Sequence, residues 1–122
     1  MAIVYTVLQS LLILLFLLVG GSKLAGTKQQ VEAFQHLGLP QWFRVVTGIV
    51  QWIGAAGLIA GYWYPGLVAW AGLWLAVTML LGFLAHLRAY DPIGKAMPAL
   101  VLAIVAAVLV FAHADGLLNP LA

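Results

Sequence analysis

The chain is predicted to be an all-α membrane protein, a four-transmembrane-helix bundle with a short interfacial helix between the first and second spans. Three observations predict this. Of its 122 residues, 66% are hydrophobic and 7% are charged, whereas soluble domains run near half apolar and about a quarter charged. The apolar residues come in long runs without alternation, such as 11–19 and 99–112, so the spans are helices and not barrel strands. The length also fits, because four spans of ~20 residues leave ~40 for turns and ends. The composition excludes a soluble domain, disorder, collagen and coiled coil. One transmembrane domain over residues 1–122 is expected.

The first span is predicted over 3–21, with Thr6 and Gln9 near its start. Gly20-Gly21-Ser22-Lys23 is its expected stop, since two helix-weakening glycines precede a charge. Residues 1–10 hold no Lys or Arg, so a cleaved signal peptide, which begins basic, is not expected. The only long polar stretch follows, over 22–41. Thr27-Lys28-Gln29-Gln30 has the form of a capping box, and Val31, Phe34 and Leu37 recur every third residue. This predicts a short helix at the membrane surface. Gly38 can end it in a left-handed conformation, and Pro40 forbids its continuation.

The second span is predicted over 42–61, where Gly57 and Gly61 form a small-x-x-x-small spacing that lets helices approach closely. The third follows over 67–87. Arg88 to Lys95 form a turn in which Asp91-Pro92 can start the next helix. The fourth span covers 97–112, with Ala99, Ala103 and Ala107 as a small stripe, and 113–122 is a tail. All five prolines are expected at span ends and none within a span, where proline would strand a backbone carbonyl in lipid.

Lys and Arg set the orientation. Lys23, Lys28 and Arg44 flank the first connection and Arg88 and Lys95 the third, while the second connection and both tails hold none. The positive-inside rule puts this face in the cytoplasm and both termini outside. Tyr5, Tyr62, Trp63, Tyr64 and Trp70 then gather at the outer interface, and Trp42, Phe43 and Tyr90 at the inner one.

A polar group in hydrocarbon needs a partner or a purpose. Gln51 lies seven residues past Arg44, ~10 Å into the membrane, with Thr47 one turn before it. Thr78, Gly82 and His86 share a face of the third span, and Arg88 and Asp91 follow His86 at once. Lys23 ends the first span at the same level. The candidate site is a cytoplasm-facing polar pocket lined by Lys23, Thr47, Gln51, Thr78 and His86, with Arg88 and Asp91 at its mouth. Lys and Gln donors could hold an anionic or quinone-like head group there, and His could move a proton near neutral pH. The bland alternative is helix-to-helix hydrogen bonding by Gln and Thr and snorkelling by the cations. Arg44 and Lys95 are explained by orientation alone.

Other chemistries find no support. Cysteine is absent, which excludes disulfides, thiolate metal sites and dithiol redox chemistry. His36 on the surface helix and His113 in the outer tail are expected on opposite faces, so the three histidines make no metal set, and His86 has no evident partner for haem ligation. Trp70 and Trp74 are taken as packing or lipid-facing residues. No phosphate loop or serine nucleophile motif occurs. Nucleic acid is not an expected partner, because the cations form no patch.

The residue order then matches a known family. The first span ends Gly21-Ser22-Lys23-Leu24. Phe34-x-x-Leu37-Gly38-Leu39-Pro40 follows, then Gly48-x-x-Gln51-x-x-Gly54-Ala55-x-Gly57-Leu58, Ala85-His86-Leu87-Arg88-x-x-Asp91-Pro92 and Pro98-Ala99-Leu100. Over roughly residues 14–110 the chain resembles the DoxX-like family of small four-helix bacterial membrane proteins. That family commonly carries Glu where Gln51 stands; Gln keeps the shape and the hydrogen bonding but loses the charge and the proton. The resemblance implies a bacterial inner-membrane protein, similar to the small membrane subunit of thiosulfate:quinone oxidoreductase, with family members linked to quinone, thiol and oxidative-stress handling.

Three functional expectations follow. The first is a membrane subunit or accessory of a redox system, in the lipid bilayer beside a membrane or peripheral redox partner, with quinone as the candidate cofactor. It would not carry electrons by itself. The second is a non-enzymatic scaffold docking through its small-residue stripes. The third, a small transporter, is disfavoured because the first span holds no carboxylate. The chain is not expected to be an enzyme by itself, and a homo-oligomer is among its expected partners.

Overall fold

A computed structural model describes residues 2–121. Its element order is α1 (Ala2–Ala25), α2 (Lys28–His36), α3 (Gln41–Ala60), α4 (Gly66–Arg88), α5 (Ile93–Ala112) and a short 3-10 turn (Ala114–Leu117). Helices α1, α3, α4 and α5 are each long and apolar enough to cross a membrane, and no strand occurs among the described residues. The fold is the expected helical membrane bundle, and α2 is the short polar helix of the first connection.

Two expected boundaries are corrected. Gly20 and Gly21 do not stop α1, which runs on to Ala25. A helix in hydrocarbon keeps its internal hydrogen bonds because no water can replace them. The stop is Gly26, at φ +69°. There the Gly26 N–H donates to the Lys23 carbonyl at 3.3 Å and the Thr27 N–H to the Ser22 carbonyl at 3.2 Å, a Schellman closure. Helix α5 starts at Ile93 and so contains Pro98, against the expectation that no proline enters a span. Pro98 has no N–H to donate to the Gly94 carbonyl, and Gly94 is exposed near the polar end of α5, where water can serve that oxygen.

The bundle closes in the order α1–α3–α4–α5, and α5 meets α1 along a smaller contact. Leu12, Phe16, Leu58, Leu75 and Leu109 fill its centre. Burial by itself favours no helix contact when the solvent is lipid, so close packing and hydrogen bonds must do so. Glycines supply the close approach. A Cβ on Gly48 would stand 3.0 Å from the Gly20 carbonyl oxygen, where α1 crosses α3. A Cβ on Gly57 would meet Ala71 at 2.9 Å, so that stripe is spent against α4. On α5 the inward small residues are Ala96, Ala103 and Ala106.

Hydrogen bonds between helices end on backbone carbonyls. Gln9 Nε2 donates to the Leu58 carbonyl at 2.7 Å, one of the last four of α3, which have no partner within the helix. Trp52 Nε1 donates to Leu17 at 3.1 Å, and Trp74 Nε1 to Val50 at 2.9 Å. Trp70 Nε1 reaches Gly116 at 3.0 Å. Trp70 and Trp74 are therefore half-exposed rings that also tie elements together.

Overpacking the crossing point should be costly. Gly48→Leu is expected to lower stability by about 1–3 kcal/mol. Gly94→Ala, whose Cβ meets nothing within 4 Å, should leave stability unchanged or raise it by up to about 1 kcal/mol. Thermal melts of the purified variants in one detergent check both.

Candidate functional site

The polar chemistry collects where α1 ends, α2 lies and α4 turns into α5. Thr27 starts α2, its Oγ1 accepting the Gln30 N–H at 3.4 Å. Only that half of the expected capping box is needed, because the Thr27 N–H is already bonded to Ser22. Helix α2 ends as predicted at Gly38, φ +73°. The Gly38 N–H bonds the Gln35 carbonyl at 3.1 Å and the Leu39 N–H bonds Phe34 at 2.9 Å, a second Schellman closure.

Helix α4 ends the same way, with a tyrosine in the position that glycine usually takes. Tyr90 has φ +58°, and its side chain is 94% exposed. The Asp91 N–H bonds the His86 carbonyl at 3.1 Å and the Tyr90 N–H bonds Leu87 at 3.1 Å. This reversal folds Asp91 back over the last turn of α4. Its Oδ2 then lies 2.7 Å from His86 Nδ1, and its Oδ1 meets His36 Nε2 at the end of α2.

The Asp91 side chain is only 3% exposed between the two rings, His36 being 53% and His86 29% exposed. An ionised carboxylate only accepts hydrogen bonds. The hydrogens therefore sit on His86 Nδ1 and His36 Nε2. In the neutral rings this leaves His86 Nε2 and His36 Nδ1 as free acceptors. The bond from His86 and then the bond from His36 hold the Asp91 carboxyl below its ordinary range.

The other predicted residues separate from this cluster. Arg88 Nη2 donates to the Leu37 carbonyl at 3.0 Å, so it caps the C-terminus of α2 and ties it to α4. Arg44 does the same for α1: its Nη1 donates to the Lys23 carbonyl, while its Nε donates to Gln41 Oε1 at 2.9 Å. Both cations sit where a helix dipole is negative. The Thr47 hydroxyl bonds the Phe43 carbonyl at 2.8 Å and the Thr78 hydroxyl bonds Trp74 at 2.7 Å. Each is satisfied on its own helix.

Lys23 and Gln51 are buried at 9% and 2% exposure. Gln51 Oε1 has no hydrogen-bond partner. Lys23 Cβ lies against Gly48, 3.1 Å from where a Cβ would be, and Gln51 is the next inward residue of α3. Helical side chains lean toward their own N-terminus. Since α1 and α3 run antiparallel, the Lys23 stem leans into the membrane and Gln51 leans out toward it.

Two open cavities have neither Lys23 nor Gln51 in their lining. An apolar groove of about 410 Å³ between α3 and α4 is lined by Val50, Trp70, Leu73, Trp74, Val77 and Thr78. A cavity of about 310 Å³ lies at the far end, beside Gly66, His113 and Asp115. Among the described residues, no three His, Cys, Asp or Glu side chains are arranged to hold a metal ion.

These features define a multi-pass helical membrane protein with a His–Asp–His cluster at its basic end. The DoxX-like family model matches residues 7–108, and the chain belongs to that family. It is 31% identical over 107 residues to "Uncharacterized protein YdgD" of Bacillus subtilis (strain 168), an alignment covering 86% of this chain and 94% of that one. No solved structure matches it.

Sequence reasoning set His36 apart and so missed its bond to Asp91, the carboxylate that also holds His86. The available signal was the shared basic face, which already placed His36, His86 and Asp91 on one side. What it lacked was the direction of α2.

Two outcomes follow. Because the native Asp91 carboxyl titrates below its ordinary range, its stabilisation is present above about pH 4 and is lost as pH falls through the lower native value. Asp91→Asn should therefore melt below the parent at neutral pH, with the gap closing in strong acid. Tyr90→Gly removes a left-handed penalty and should stabilise by about 1 kcal/mol. Melting curves across pH test both.

Proposed function

We propose that this protein is a single-domain accessory or subunit of a redox system in the bacterial cytoplasmic membrane. In this reading the basic face points to the cytoplasm and both termini point outside, by the positive-inside rule. It receives the head group of a quinone or a similar lipid-soluble molecule near the basic ends of α1, α3 and α4. Lys23 and Gln51 offer the amine and amide donors, and His86 Nε2 exchanges a proton with the head group.

The observation that carries the reading is the carboxylate that fixes His86. An Asp behind an imidazole selects one tautomer and stabilises the ring when it takes a second proton. The outward nitrogen becomes a proton port of set direction. On α3 the Gln51 amide oxygen is buried and unpartnered, which is costly without a purpose. Thr47, Thr78 and Arg88 have backbone partners already and carry less of the reading. Docking through the stripe on α3, which a scaffold role would use, is disfavoured by its packing against α4.

A menaquinone analogue titrated against the purified protein should bind. Gln51→Leu and His86→Ala should each weaken binding about tenfold, the loss expected for one hydrogen bond to a buried partner. Indistinguishable binding by parent and both variants would remove the role assigned to these residues.

A further inference from the structure

The geometry points to α2 as a hinged lid over the route from the basic face to Lys23 and Gln51, closed in this structure. The inference rests on the reading of those two residues as a binding site, and it concerns how that site is reached.

Four observations carry it. First, α2 lies between two left-handed glycines, Gly26 at φ +69° and Gly38 at φ +73°. Glycine moves between backbone regions closed to other residues, so both ends of this nine-residue helix can swing. Second, α2 has little apolar attachment. Phe34 is its one buried residue, and α2 contacts only α3 and, less, α1 in appreciable measure, the helices that carry Gln51 and Lys23. Third, polar ties hold it closed from outside its own element. His36 bonds Asp91, the Leu37 carbonyl accepts from Arg88, and the Val31 carbonyl accepts from Gln41 Nε2 at 3.1 Å. Two of the three come from the end of α4 and the turn after it. Fourth, one group on α3, the helix that α2 packs on most, is unfinished, since Gln51 Oε1 is buried without a partner.

The ties suit a lid better than a permanent strut. Each is a polar contact, and the bonds from His36 and Arg88 are exposed, so water can replace those donors' partners when the contacts break. Low apolar contact and exposed hydrogen bonds are the features of segments that open locally. Asp91 thereby joins two events. When His36 leaves with α2, the same carboxylate keeps His86 in place, so the proton port stays set while the route opens.

The cysteine-free chain allows a direct test. Gln51→Cys is introduced as the sole thiol, and its labelling by a water-soluble maleimide is timed in purified protein. The measurement is repeated with His36→Ala and Arg88→Ala added. Glu32→Cys, on the outer surface of α2, is the control. Removing the two ties should speed labelling at position 51 by about tenfold or more, from the free energy of the lost hydrogen bonds, and leave position 32 unchanged. Equal rates at position 51 in the two backgrounds would overturn the lid. Should Gln51→Cys fail to fold, Lys23→Cys serves as the reporter with the same two outcomes. No ligand is present, so a failure of quinone binding leaves this result standing, and latch-independent labelling sinks the lid without touching the binding claim.

Discussion

Asp91 supplies the contact on which the basic end of the bundle depends. One carboxylate, almost without exposure, accepts from His36 on α2 and from His86 on α4. It sits in the turn that starts α5, so three elements meet at two oxygens. The Schellman closure at Tyr90 places it there, because the Asp91 N–H bonds the His86 carbonyl before the side chain bonds the ring. The strain of a left-handed tyrosine is thus part of the site. Backbone strain of this kind persists where the surroundings over-determine it.

The same physical demand shapes the rest of the bundle. A helix end in or near lipid leaves carbonyls with no water to meet them. Here Arg44, Arg88 and Gln9 close the ends of α1, α2 and α3 from neighbouring elements. Tryptophans add bonds to carbonyls further along, and glycines bring the helices close enough for these reaches. Arg44 and Arg88 therefore serve twice, as orienting charges and as caps. That is why the charged residues lie so near the helix boundaries.

Much of the fold was legible because the bilayer imposes length and composition on every span. The buried faces were not legible from hydrophobicity. Helix α1 is apolar all round, and its inward stripe is marked by Gln9, Gly20 and Lys23 instead. Inside lipid the polar and small residues point inward, as Gly48, Gln51 and Gly54 do on α3. The glycine pair in α1 misled as a stop, because a helix-weakening residue is tolerated where the alternative is unpaired backbone. Pro98 misled for a related reason, since it lies close enough to the helix end to leave the Gly94 carbonyl to water. Of the site, His86 and Asp91 were legible from their spacing. His36 was not, because short polar helices carry no pattern that tells where they point. Thr47 and Thr78 were legible as polar residues within spans, but not that their hydroxyls bond one turn back on their own helices, nor that Thr78 borders the apolar groove.

In the proposed reading, one fixed carboxylate, two directed imidazoles and a buried amide serve to place a proton, and among the described residues no cluster is arranged to hold a metal ion. The carboxylate bridge is the premise beneath both the proposed chemistry and the lid. It is tested most directly by the long-range proton–nitrogen spectrum of the imidazole rings in detergent-solubilised protein at neutral pH. The account predicts that His86 carries its hydrogen on Nδ1 and that the signals of both His36 and His86 move in Asp91→Asn, while His113 stays put. A His86 ring protonated on Nε2, with neither ring responding to Asp91→Asn, would contradict it.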